Sequence, residues 1–111
     1  MTVDLSVLTP LPAMPRLAAS PTVEQGGLVY GTWSITAARY TDHHQHAEAN
    51  TVLEGSLEIT YAGATHVVGP GSTHVVPAGV EATYAAPVFA KMLWSYGPGE
   101  RGTALERYEE L

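Results

Sequence analysis

Ser56-Leu57-Glu58-Ile59-Thr60-Tyr61 is the stretch whose pattern decides the fold class. On an extended chain Leu57, Ile59 and Tyr61 share one side, and Ser56, Glu58 and Thr60 share the other. A period of two describes a strand with one packed face and one wet face. Glu54-Gly55 before it and Ala62-Gly63 after it supply the turns that bound the strand.

The same texture continues in both directions. Segments rich in Val, Ile, Thr, Tyr and Trp fall at Leu28–Tyr30, Thr32–Arg39, His46–Leu53, Thr65–Val68, His74–Val76, Glu81–Tyr84 and Val88–Ser95. Gly69-Pro70-Gly71, Pro77-Ala78-Gly79 and Ala86-Pro87 separate the later ones. So many short strands without a crossover helix predict an all-β barrel or two-sheet roll over residues 28–96, within one domain spanning 1–111. Residues 1–27 carry Pro10, Pro12, Pro15 and Pro21, which rule out a continuous helix or central strand. With Val3, Leu5, Val7 and Leu8 among them, they predict an apolar arm laid on the barrel or on a partner subunit. In residues 97–111, which open with Gly97-Pro98-Gly99, Thr103 to Glu106 has capping-box form. Ala104, Leu105, Tyr108 and Leu111 follow at helical spacing, which predicts a short C-terminal helix.

Charge and composition narrow the function. Five Lys and Arg against 11 Asp and Glu leave a net charge of -6 in 111 residues, and the basic residues are scattered. No stripe of positive charge is available to track phosphates, so nucleic acid is not an expected partner. The chain has no cysteine, which removes thiolate catalysis, disulfides and zinc–sulfur sites. No apolar run reaches the roughly 20 residues of a spanning helix, and no signal-peptide pattern opens the chain, so the expectation is a soluble, cytoplasmic protein away from membranes.

Asp42-His43-His44-Gln45-His46-Ala47-Glu48 holds three of the chain's five histidines. On an extended chain Asp42, His44, His46 and Glu48 form one row, continued by Asn50, while His43 points the other way. Such nitrogen and oxygen donors suit a divalent transition metal: Mn, Fe, Ni, Cu or Zn. A polar, exposed loop is the competing reading. Glu48 also has two readings, as a metal ligand or, without a metal, as a general base. Trp33, Tyr84, Met92 and Trp94 are large enough to line a substrate pocket with Asn50, or to be plain core. His66 reads as a polar residue of an outer strand face, His74 as the same or as a displaced metal ligand, and Lys91 as a solvated charge or salt-bridge partner, or as a group reaching an anionic substrate.

Two of these stretches together resemble the cupin superfamily. The histidine-rich run leads to Glu48, six residues separate Glu48 from Gly55, and Gly71 is followed after five residues by Pro77-Ala78-Gly79. These resemble the first and second cupin motifs. Gly31-Thr32-Trp33, Val52-Leu53-Glu54-Gly55 and the strand of Lys91 are similar to the small cupins related to ethanolamine-utilisation proteins and ureidoglycine aminohydrolase domains. The resemblance implies a double-stranded β-helix, or jelly roll, with a metal inside the barrel. It also implies a departure. The motif's two histidines fall on Asp42 and His44, and its last ligand falls on Ala82, which has no donor. Two functions follow as expectations. One is a metal-dependent enzyme acting on a small polar metabolite, with His44, His46 and Glu48 as ligands and Asp42 in reserve. The other is a non-catalytic small-molecule-binding cupin with a degenerate metal site. The apolar arm and exposed sheet edges predict a homodimer in either case.

Overall fold

The computed structural model describes residues 2–97 and 103–111, with the backbone alone for 103–106. Ten strands follow in chain order: β1 (Thr9–Leu11), β2 (Met14–Ala19), β3 (Val23–Gln25), β4 (Leu28–His44), β5 (Glu48–Gly55), β6 (Leu57–Tyr61), β7 (Ala64–Val68), β8 (Thr73–Val76), β9 (Glu81–Tyr96) and β10 (Thr103–Glu110). The fold is all-β, as the alternation predicts. Leu57 and Ile59 are fully buried, whereas Glu58 and Thr60 are half-buried.

The frame is the antiparallel pair β4 and β9, in register from Val29–Tyr96 to His43–Glu81. Four of the expected strands merge into these two. The interruption expected at Ala86-Pro87 is a bulge instead, because the register shifts between Thr36 and Ala38 opposite Pro87. Ala37 adopts φ +46° there. Beyond the bulge, each long strand exchanges partners. The first half of β9 pairs with β6, and the second half with β5. Ala82, Tyr84, Ala86, Ala90, Met92, Trp94 and Tyr96 all face the core from β9.

Both ends of the chain depart from expectation. Residues 9–25 are not an arm but three strands of the main sheet. β1 and β2 form a hairpin, Leu17–Ala19 of β2 pair with Trp33–Ile35 of β4, and β3 pairs with Val29 and its neighbours. Pro10 falls on the edge strand β1 and Pro12 in the turn, where neither removes an interior ladder bond. The C-terminal helix is a strand: β10 runs antiparallel to Ala38–His44. A helix of so few residues is marginal in water, whereas the free edge of β4 offers every backbone group a partner. Opposite charges meet across this pair, Arg39 with Glu109 at 3.7 Å and Arg107 with Glu81 at 3.4 Å. The Gly97-Pro98-Gly99 break lies mostly outside the described residues.

Among the described residues the ladder does not close on itself. β7 bonds only to β6, and β8 only to β5. Side chains bridge this gap. His66 lies opposite the buried Ile59, and His74 opposite the buried Asn50, so both face inward and are half-buried rather than on an outer face. Their rings approach to 4.3 Å, and Tyr61 Oη lies 2.8 Å from His74 Nε2.

Two predictions follow from this packing. Gly55 has φ +77°, and a Cβ there meets the Phe89 carbonyl oxygen at 2.0 Å, whereas Gly63 with φ +76° faces open space. Gly55→Ala therefore costs about 3 kcal/mol or more, from strain plus backbone clash, against about 1 kcal/mol for Gly63→Ala. Urea unfolding midpoints read the difference, and equal losses would remove the close approach as the cause. At the seam, burial and then the charge of His66 hold His74 below its ordinary pKa of 6.5. The unfolded chain takes the proton that the folded chain resists, so this stability is complete above 6.5 and is lost as the pH falls below it. Tyr61 and His66 are the titratable side chains in ring contact with His74 among the described residues. The drop in urea midpoint between pH about 7.5 and about 5.5 is expected to be smaller in His74→Gln than in the parent.

Candidate functional site

Asp42 and His44 end β4, and Glu48 and Asn50 begin β5. Between them the chain bends at Gln45 and His46. The bend is held from the second motif: His44 N–H donates to the Val80 carbonyl at 3.1 Å, and Gly79 N–H donates to the His44 carbonyl at 2.8 Å. Gly79 takes φ +83° to do so. The two motifs are thus one clasp at one end of the barrel.

Asp42, His44, Glu48 and Asn50 are buried and His43 is exposed, as the alternation predicts. His46 leaves the row. The bend breaks the two-residue period, and its ring packs on Tyr96 with centroids 5.6 Å apart. The buried groups form a continuous polar chain. Trp33 Nε1 donates to Asn50 Oδ1 at 2.7 Å, and Asn50 Nδ2 donates to Glu48 Oε1 at 2.9 Å. Glu48 Oε2 stands 3.6 Å from His44 Nδ1. On the other ring nitrogen, His44 Nε2 lies 3.0 Å from Tyr84 Oη and 2.8 Å from Asp42 Oδ1. Whichever nitrogen carries the ring proton, a carboxylate stands beside it. Burial first, then the nearby charge of Glu48, pushes the Tyr84 hydroxyl far above the ordinary range of a phenol. Tyr84 therefore stays protonated beside Nε2.

The donors fit a metal poorly. Asp42 Oδ1 and His44 Nε2 are as close as adjacent ligands on one ion, but Glu48 meets the imidazole at its other nitrogen. An imidazole gives one nitrogen to one ion, so the ring stands between the two carboxylates. His46 is turned onto Tyr96, and Ala82, opposite Asp42 and fully buried, has no donor to offer. Among the described residues no group of three or more His, Asp or Glu side chains is arranged to hold an ion. The expected set of His44, His46, Glu48 and Asp42 is brought to one end of the barrel without converging on a point.

A cavity of about 190 Å³ opens over this polar chain. Asp42, Glu48, Trp33 and Trp94 line it, together with Tyr40. Asn50, Tyr84 and Met92, expected in the pocket, are fully buried and do not line it. The far wall comes from Leu11, Met14 and Leu17 of the N-terminal hairpin, which the sequence reading did not assign to the site. The alternation around Pro12-Ala13 is the only local signal for that hairpin, and this dipeptide is not among the common hairpin turns.

The cupin-domain family profile matches residues 32–96, the greater part of the chain and both motifs. The chain belongs to the cupin family. No curated protein sequence matches this cupin. Solved structures match its fold. The putative ethanolamine utilization protein Q of Salmonella typhimurium LT2 is similar with TM-score 0.71 at 18% identity, over 76% of this chain and 71% of that one. The EutQ protein of Clostridium difficile gives TM-score 0.71 at 17% identity, over 91% and 77%. Ectoine synthase from P. lautus gives 0.67 at 19%, over 83% and 77%. The cupin is thus a small, single-motif-pair barrel with the EutQ-like fold. No helix of the described residues is long and apolar enough to cross a membrane.

The polar chain has a stability consequence. Asn50→Ala leaves Trp33 Nε1 and Glu48 Oε1 without the partners they have at 2.7 and 2.9 Å. Losing a buried partner of a charged acceptor and of an indole together is expected to cost about 3 kcal/mol. Chemical denaturation monitored by tryptophan fluorescence measures it; a loss no larger than an ordinary surface substitution would show that water replaces Asn50.

Proposed function

We propose that this cupin is a small-molecule-binding barrel that takes a small polar metabolite over Asp42 and Glu48, and that its binding centre works without a transition metal. The observation that carries this reading is the pairing of two buried carboxylates with one cavity while the imidazole divides them. The cavity is of ligand size. An apolar cavity of about 150 Å³ admits benzene, and this one is about 190 Å³. Its walls are aromatic and aliphatic with a few convergent polar groups, which is the usual makeup of a metabolite site.

The same centre suits chemistry by proton transfer. A carboxylate on each side of His44 lets a proton taken from a bound molecule pass to whichever ring nitrogen lacks one. Glu48 is the group best placed to act as base. It lines the cavity, and Asn50 fixes one of its oxygens.

The test is elemental mass spectrometry on protein purified without an affinity tag and incubated with Mn, Fe, Ni, Cu and Zn salts. Metal content well below one ion per chain is expected, and no different in a His44→Ala, His46→Ala double variant. Near-stoichiometric metal that disappears in the double variant would overturn the metal-free reading and restore the expected ligand set.

A further inference from the structure

The unclosed side of the barrel brings together three donor side chains from three strands. Tyr61 ends β6, His66 lies within β7 and His74 within β8. Among the described residues β7 and β8 share no ladder bonds, yet these two imidazole centroids stand 4.3 Å apart. Tyr61 Oη lies 2.8 Å from His74 Nε2. Its ring centroid is 5.1 Å from that of His66 and 5.7 Å from that of His74, so the three rings form a closed triangle. We infer that His66, His74 and Tyr61 form a binding site for a divalent transition-metal ion such as zinc, which fastens β7 to β8.

The spacings are close to those of ligands sharing one ion. Metal–nitrogen bonds of about 2.0 Å put two adjacent imidazoles with centroids roughly 4.5–5 Å apart, and neighbouring donor atoms roughly 2.8–3.3 Å apart. The histidine pair at 4.3 Å needs only a slight opening to meet the first, and the Tyr61–His74 contact at 2.8 Å meets the second. Imidazole nitrogen suits zinc, copper and nickel, and a phenol oxygen makes a third donor, leaving a fourth position for water. All three side chains are half-buried, so packing holds them while an ion can still enter from solvent. Burial, and then the charge of His66, hold His74 below its ordinary pKa of 6.5, so its ring is uncharged at neutral pH, as a ligand must be. The contrast with the other end of the barrel is geometric. There one imidazole divides two carboxylates, whereas here two imidazoles stand side by side.

The ion supplies the connection that the backbone omits. β7 reaches the rest of the sheet through β6, and β8 through β5, so a ligand taken from each ties the two hairpins directly. Two imidazoles and one phenol hold an ion less firmly than the four ligands of a structural zinc site. The ion therefore exchanges with solution and leaves when free metal is removed, and its binding is read at equilibrium with free metal.

Isotope-labelled protein is titrated with zinc sulfate at neutral pH while the ring signals of the five histidines are followed by NMR. Saturable shifts of the His66 and His74 rings are expected, with a urea unfolding midpoint that rises as zinc is added. His66→Gln and His74→Gln should each weaken zinc binding by about tenfold or more, and Tyr61→Phe by less. A His43→Ala, His46→Ala double variant should bind zinc as the parent does. The ring shifts of the parent locate the ion even if a variant fails to fold. No shift of either ring at millimolar zinc would overturn the site and leave His66 and His74 a stacked pair. Shifts confined to His43, His44 or His46 would put the ion at the other end of the barrel and overturn this inference together with the metal-free reading of that centre. Unchanged affinity in Tyr61→Phe would strike the phenol from the site.

Discussion

The antiparallel ladder between β4 and β9 is the constraint on which the rest of the molecule depends. It runs the full length of both strands and supplies both edges to which everything else attaches. β2, β3 and β10 pair with β4, while β5 and β6 pair with β9. The bulge at Ala37 and Pro87 divides the ladder, so each strand serves two regions of the sheet with different partners. Without that division, two strands of this length would make a flat ribbon. With it, Val52 of β5 and Ile59 of β6 reach the same core from strands that do not pair with each other.

One end of this roll holds apolar packing and the other holds charge. Burying two carboxylates is costly unless each finds donors, and the chain from Trp33 through Asn50 meets that demand for Glu48. Asp42 is met by the His44 imidazole, whose Nε2 lies 2.8 Å from its Oδ1. The clasp between Gly79 and His44 sets where the imidazole lies, so the second motif positions a residue of the first although it contributes no ligand of its own. A donorless residue at Ala82 is consistent with a centre organised by hydrogen bonds.

Much of this was legible in the sequence, for reasons that can be named. Ser56–Tyr61 alternates because one face of its strand packs and the other does not, and Asp42, His44, Glu48 and Asn50 are buried together by the same rule. The rule failed at His46, because a period of two holds only while the chain stays extended. It failed for His66 and His74 because polarity suggested an outer face, while the register with Ile59 and Asn50 turns them inward. The C-terminal helix was a local pattern overruled by a distant one: the free edge of β4 cannot be read from residues 103–111. The hairpin was hidden by its prolines, which forbid a central strand but not an edge.

The cavity divides along the same line as the sequence. Asp42, Glu48, Trp33, Tyr40 and Trp94 lie inside the 32–96 region shared with the cupin family. Leu11, Met14 and Leu17 lie outside it. The charged and aromatic side therefore comes with the shared region, and the apolar wall comes from the N-terminal hairpin. That hairpin joins β4 through the Leu17–Ala19 ladder and through Arg16, which donates to the Ala37 carbonyl at 2.8 Å.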